Sequence, residues 1–186
     1  KRKLGILDVM HWALVADWRL KPRPDQTTFS DVYSQLDLVP FDWLALTSDL
    51  RYSIDSKRLR EANHGITLTP NTTWSVNFGH RYLEDDYASG LGAGNNLFTT
   101  TLYYRLNANW GTRAYLRYEA RDSLMEEQQY SIYRDFRSWT GALTLRFRES
   151  RNGPPDFTVG VTFSLKAYPR FRLGDDLNRP SLLLGY

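Results

Sequence analysis

Arginine is the residue in this sequence with the clearest chemical use. Arg51, Arg81, Arg105, Arg113, Arg117, Arg121, Arg146 and Arg148 each fall in a segment where apolar and polar residues alternate, and each falls on the polar side. A guanidinium presents paired, planar N–H donors that match a phosphate or carboxylate in bidentate fashion, so such a set could line a wall that contacts an anionic head group. The plainer reading pairs these arginines with Asp37, Asp49, Glu61, Glu119 and Asp135, holding the wall together. Positive charge is expected to be in excess along 110–121, where Arg113, Arg117 and Arg121 meet only Glu119.

Other reactive groups point to no catalyst. His11, His64 and His80 are scattered, and the last two fall on the apolar side of neighbouring segments without a third ligand, so no zinc-type site is expected. Asp85-Asp86 and Glu126-Glu127 lie in or beside loops, where solvated charge is ordinary; a divalent cation bridging a surface glycolipid is the most such pairs suggest. Ser75 and Ser131 have no histidine on their own side, so no Ser-His-Asp arrangement forms. Gly90, Gly92 and Gly94 mark a loop expected to be mobile, and no helix follows to make it a phosphate-binding turn. There is no cysteine, which removes thiolate metal sites and disulfides, and a net charge of +3 is too small to argue for nucleic acid. Neither an enzymatic activity nor a cofactor is expected.

The arginines owe their shared side to a period of two, the signature of strands. Alternation occurs over 11–20, 30–39, 43–54, 59–69, 74–83, 96–106, 110–121, 127–136, 139–149 and 156–166. Each segment is about ten residues, the length a tilted strand needs to cross a bilayer. One side of each is apolar, for example Trp74, Val76, Phe78, His80 and Tyr82, or Phe157, Val159, Val161, Phe163 and Leu165. Strict parity leaves only Arg60 and Arg134 as charges on that side, both near segment ends where they can snorkel. The low mean hydropathy is compatible with a membrane barrel, because lumen-facing and lipid-facing residues alternate.

Aromatic position separates a membrane wall from a soluble sandwich. Trp12, Trp43, Trp74, Trp110 and Trp139 recur at intervals of 31, 31, 36 and 29 residues, each beginning a strand and each on the apolar side. Tyr104, Phe136 and Phe163 are expected at the same level. Trp18, Tyr52, Tyr82, Phe98, Tyr118, Tyr130, Phe147 and Phe157 are expected at the other. Two levels set about 23 Å apart along the normal match the aromatic girdles flanking a hydrocarbon band.

Connections alternate between short ones (40–42, 70–73, 107–109, 137–138) and longer ones (21–29, 55–58, 84–95, 122–126, 150–155). Outer-membrane barrels keep short turns in the periplasm and long loops outside, which predicts periplasmic termini. Residues 1–166 are therefore expected to be barrel strands and 167–186 a periplasmic tail, ordered only if docked. No signal segment follows Lys1, so the first residue is expected to be a mature or excised start.

The last strand, with Thr158, Gly160, Phe163 and Leu165, resembles the β-signal that the barrel-assembly machinery reads by edge pairing in outer-membrane proteins. Longer stretches carry a second resemblance: FSDVYSQLDL (29–38), LREANHGITLTPNTTWSVNFGHRYL (59–83), GNNLFTTTLYYRLNANWG (94–111), MEEQQYSIYRDFRSWTGALTLRF (125–147) and DFTVGVTFSLKAYP (156–169). Over roughly 29–169 the chain resembles the C-terminal barrel region of the LptD family of lipopolysaccharide-assembly proteins, also called organic solvent tolerance proteins. That resemblance implies an arc of a much larger barrel of about 26 strands, preceded by a periplasmic jellyroll domain. It also implies lipopolysaccharide arriving over a periplasmic bridge, a lipoprotein plug (LptE-like) in the lumen, and a lateral seam beside the last strand. The jellyroll and the remaining strands are not in this sequence, and neither are the cysteines of the interdomain disulfides found in some members. The competing expectation is a free-standing ten-stranded barrel acting as a porin or omptin-like surface protease.

Overall fold

A computed structural model of the chain describes residues 9–24, 28–87, 92–150, 153–166 and 172–173. Its strands are β1 (Met10–Trp18), β2 (Phe29–Phe41), β3 (Leu44–Ser53), β4 (Arg58–Leu68), β5 (Trp74–Leu83), β6 (Asn95–Arg105), β7 (Trp110–Glu119), β8 (Leu124–Asp135), β9 (Trp139–Ser150), β10 (Gly153–Leu165) and the two-residue β11 (Arg172–Leu173). They form one sheet in chain order, with β1 and β11 outermost. The fold is all-β and up-and-down antiparallel, with no helix among the described residues. β5 coincides with the expected segment, while β8 and β10 begin earlier than alternation suggests. Of the expected tail, Arg172–Leu173 pairs with Phe163 and Ser164 of β10, and 167–171 and 174–186 lie outside the described residues.

Local chemistry sets the turns. Asn71 Oδ1 accepts from the backbone N–H groups of Thr73 and Trp74, and Asn107 Oδ1 accepts from those of Asn109 and Trp110. Each asparagine closes a turn on itself and delivers a tryptophan at the first residue of the next strand. At the opposite ends, the loops 54–57 and 120–123 finish on Lys57 and Ser123, both at φ 54. That left-handed residue lets a short loop reverse the chain into the next strand.

The chain divides into two compact units, Lys1–Pro70 with Phe78–Phe98, and Asn71–Asn77 with Thr99–Tyr186. In the first, the register sets Leu36 opposite Ser48 and Ser48 opposite His64, then slips between Arg51 and Tyr52 so that Tyr52 meets Leu59 and Arg60 is the extra residue. Such a bulge flips parity for the rest of the strand. Leu59 therefore faces the apolar side, and Arg60 joins the polar side, where it meets Glu84 at 3.2 Å and Asp86 at 3.9 Å. Strict alternation misplaced Arg60 for this reason.

In the second unit the same device recurs. Arg117 pairs with Glu127 and Tyr118 with Met125, leaving Glu126 as the bulged residue. Tyr103 is buried against Gly111, where an added Cβ would lie 3.0 Å from the Tyr103 hydroxyl oxygen. Gly111 is thus the recess into which the ring folds.

In the second unit the burial pattern is inverted relative to a water-soluble fold. The largest fully buried side chains are Tyr133 and Glu119, each 1% exposed and each on the polar side. Thr140, Thr144, Thr162, Ser164, Ser131 and Gln129 are also buried there. The apolar side of this unit holds exposed residues, among them Phe157 at 56%, Val161 at 53% and Leu143 at 43%. Polar groups crowd together while apolar ones face outward, the arrangement a hydrocarbon solvent selects.

Candidate functional site

In the second unit, the registers of β7 to β10 align the polar side into rows. Nearest the loop ends, Arg117, Glu127, Arg148 and Asp156 follow one another across the four strands with alternating sign. Arg117 Nε is 2.8 Å from Glu126 Oε2, and Arg148 Nη2 is 3.9 Å from Glu127 Oε1. The next row is Tyr115, Gln129, Arg146 and Thr158, and the next Arg113, Ser131, Thr144 and Gly160. Then come Gly111, Tyr133, Ala142 and Thr162. At the turn end Asp135, Thr140 and Ser164 form the last row, with Lys166 Nζ 2.8 Å from Asp135. Ser131 and Thr144 share a buried hydrogen bond of 2.9 Å.

In the first unit, a cleft of about 260 Å³ near the loop ends is lined by Arg19, Asp31, Arg51, Asp55, Arg60 and Glu84, among others. Every arginine there has a carboxylate. Arg51 donates from Nε and Nη2 to Asp31 Oδ2, at 2.8 and 2.6 Å, with its guanidinium 5.5 Å from the Tyr33 ring centre. Arg19 pairs with Asp55, and Arg60 with Glu84 and Asp86. At this depth of pairing the guanidinium groups brace the wall.

The structure sorts the eight sequence-expected arginines. Arg51, Arg117 and Arg148 are ion-paired. Arg105 donates to the carbonyls of Asn107 and Ala108, so it clamps a turn rather than lining the wall. β7 ends at Glu119, which puts Arg121 in the loop with its backbone N–H on Glu119 Oε1. The surplus expected along the seventh strand does not hold at Arg117, because β8 starts early enough to bring Glu126 and Glu127 beside it. These two carboxylates are wall residues and not loop charges. Arg81 is exposed. Arg146 shares a row with Tyr115, Gln129 and Thr158, and Arg113 faces Ser131 with its Nε buried and without a hydrogen-bond partner among the described residues.

On the apolar side, Trp139 stacks on Phe136 at 3.7 Å and meets Phe163 at 5.3 Å, while Trp43 stacks on Phe41 at 5.2 Å. Arg134 stays on this side, over the rings of Trp110 and Phe136 at 5.0 and 4.6 Å. Phe147 and Phe157 meet at 4.8 Å at the loop ends of β9 and β10. Trp74 begins β5 as expected. Trp12 pairs with Leu36, which pairs with Ser48, so in register it stands beyond the level of Trp43; its indole N–H donates to Ser34 at 3.1 Å.

Sequence reading passed over a polar stripe on this side. His64 Nδ1 lies 3.0 Å from Ser48 Oγ, the His64 and His80 rings stack at 5.6 Å, and His80 Nε2 lies 2.8 Å from Asn96 Oδ1. Each polar group there has a neighbour to bond, which makes it tolerable against hydrocarbon. The signal was present as one polar residue per strand at even parity: Ser34, Ser48, His64, His80 and Asn96. In β10, Thr158 donates to Asp156 Oδ2 at 3.2 Å, Gly160 sits opposite Thr144, and Phe163 and Leu165 lie on the apolar side beside Gly141 and Trp139.

The family model described as LptD, LPS transport system D, matches residues 16–115, more than half of the chain. A search of the curated proteins found no match.

Proposed function

The chain belongs to the LptD family, and from that premise we propose that it is the C-terminal part of an outer-membrane barrel that inserts lipopolysaccharide into the outer leaflet. The observation that carries this reading is the inverted burial in the second unit: exposed Leu143, Phe157 and Val161 on one side, buried Glu119, Ser131 and Tyr133 on the other. In this reading the apolar side meets lipid, the polar side lines the lumen, and the termini are periplasmic.

Lipopolysaccharide enters from a periplasmic bridge held by a domain outside this sequence. It passes a lumen partly filled by an LptE-like lipoprotein and leaves by a seam beside β10. The lumen arginines, Arg51, Arg81, Arg105, Arg113, Arg117, Arg121, Arg146 and Arg148, are the candidate contacts for its anionic groups. Thr158, Gly160, Phe163 and Leu165 serve the barrel-assembly machinery as the recognition strand. The test is depletion of the full-length protein in cells, followed by pulse-labelling of lipopolysaccharide. Newly made molecules are expected to stay inaccessible to an antibody added outside, and arrival at an unchanged rate would overturn the proposal.

A further inference from the structure

We propose that Arg134 and its aromatic neighbours, on the apolar side of the second unit, form a seat for the phosphate of a membrane phospholipid that carries net negative charge. The inference rests on the membrane reading above and concerns the outside of the wall rather than the lumen. Arg134 is exposed and stands one residue before the end of β8. Register sets it opposite Trp110, the first residue of β7, on one side and Gly141 of β9 on the other. The bare glycine leaves room for the indole of Trp139, since an added Cβ would sit 2.9 Å from Trp139 Cζ3. Phe136 stacks on Trp139 at 3.7 Å, and the Arg134 guanidinium lies over both Phe136 and Trp110, at 4.6 and 5.0 Å.

Those rings fix the charge in place but offer no oxygen to its N–H donors. Among the described residues the guanidinium meets no carboxylate. The adjacent acid, Asp135, alternates to the polar side, where it accepts from Thr140 Oγ1 at 3.1 Å and meets Lys166 Nζ at 2.8 Å. No acid stands on the apolar side beside Arg134, where its row reads Trp110, Gly141 and Phe163. Arg137, exposed in the turn after β8, adds a second positive charge. Phosphodiester oxygens match a guanidinium in bidentate fashion, and tryptophan marks the level at which head groups lie. A zwitterionic head group would bring an ammonium with no carboxylate to receive it, so the site favours a net anionic lipid. In the proposed orientation this turn faces the periplasm, which places the lipid in that leaflet. The first unit supplies the contrast: Phe41 stacks on Trp43 with no arginine over either ring among the described residues, and the turn between them holds Asp42.

The experiment uses purified full-length protein in phosphatidylcholine vesicles that contain a trace of photoactivatable phospholipid, its reactive group beside the glycerol. Crosslinked peptides are then mapped by mass spectrometry. A phosphatidylglycerol probe is expected to label the β8–β9 turn several-fold more than a phosphatidylcholine probe of the same design, and to show no such preference at the β2–β3 turn. Arg134→Gln is expected to lower the phosphatidylglycerol yield at the β8–β9 turn about tenfold, the loss of one charge-assisted contact. Arg134→Lys should keep part of it, because an ammonium attracts phosphate without the bidentate match. Lys57→Gln removes one exposed charge from a loop at the other end of the strands and should leave the yield unchanged. Millimolar inorganic phosphate should not compete.

Equal labelling of the β8–β9 turn by the two probes in the parent protein would overturn the seat, and that comparison needs no variant to assemble. A parental yield in Arg134→Gln would overturn the role given to that residue. Full competition by inorganic phosphate would make the place a site for a free anion and overturn the lipid assignment. In each of these cases phosphatidylcholine labelled in its acyl chain would still mark the segment around Leu143, and the membrane reading would stand. Absence of that mark would overturn both.

Discussion

Replacing Leu143 with arginine asks directly which solvent bathes the apolar side. Leu143 lies in the interior of β9, paired with Ile132 and Val161, and is 43% exposed. Trp139 and Phe147 stand at equal distances from it along the same strand, about 13 Å each way, or about 10 Å along the membrane normal after a ~40° tilt. That is the middle of a hydrocarbon band about 25 Å tall, where a lipid-facing arginine costs ~2–4 kcal/mol. The equilibrium should then shift by roughly 30- to 700-fold toward the unfolded state. Phe147→Arg makes the matched control, because Phe147 has the same exposure class and sits at the aromatic border, where the cost falls to ~0–1 kcal/mol. The assay is denaturant unfolding of the full-length protein from phosphatidylcholine vesicles, followed by tryptophan fluorescence. If the face were wetted by water, both changes would be ordinary surface substitutions within about 0.5 kcal/mol of the parent. Equal, small effects at Leu143 and Phe147 would refute the membrane reading.

Three further outcomes follow from particular contacts. Asn96→Leu leaves His80 Nε2 without its acceptor on the apolar side and is expected to cost about 1–3 kcal/mol, with His80→Leu in the same chain recovering most of it; additive losses in a double-mutant cycle would show that the hydrogen bond does not matter. Ser123, at φ 54, should accept glycine at little cost but lose roughly 1–2 kcal/mol as valine, and equal unfolding midpoints for the two variants would remove the left-handed turn from the account. Phe163→Ala with Leu165→Ala is expected to lower the amount of assembled, heat-modifiable barrel in cells without slowing synthesis, and normal assembly would end the recognition role given to β10.

The strands were legible because their period of two is long, repeated and marked at one end by tryptophan. β5 agrees with its expected segment at both ends. What alternation alone hid was the position of bulges. Counting parity through Arg60 put a charge against lipid, and ending the seventh loop late put Glu126 and Glu127 among solvated residues. Both errors have one source, an extra residue just after a four-residue loop. A sequence clue did exist. Leu50-Arg51-Tyr52 with Leu59-Arg60-Glu61 and Leu116-Arg117-Tyr118 with Met125-Glu126-Glu127 share the same spacing, so the two hairpins repeat one another. Neither Lys57 nor Ser123 is the glycine or asparagine that would usually announce a left-handed residue there. Arginine partners were less legible still, because pairing across strands depends on register, and register is fixed by those same loops.

Register also decides what each wall can do, since the two units have the same kind of strands and different charge. In the first, the acid partners are distributed along the strands, and a bulge adds Arg60 to a group of carboxylates already crowded around Arg19 and Arg51. An incoming anion would have to displace Asp31 from two short hydrogen bonds to reach Arg51. In the second, the bulge adds an acid, Glu126, to the loop end, where it engages Arg117. In the middle of the wall Arg113 meets Ser131 rather than a carboxylate. An arginine's availability to ligand is therefore a property of the residue opposite it, and a slip of one position in the β7–β8 hairpin would erase the difference between the two walls. The left-handed turn at Ser123 and the bulge at Glu126 set which residues Arg113 and Arg117 face.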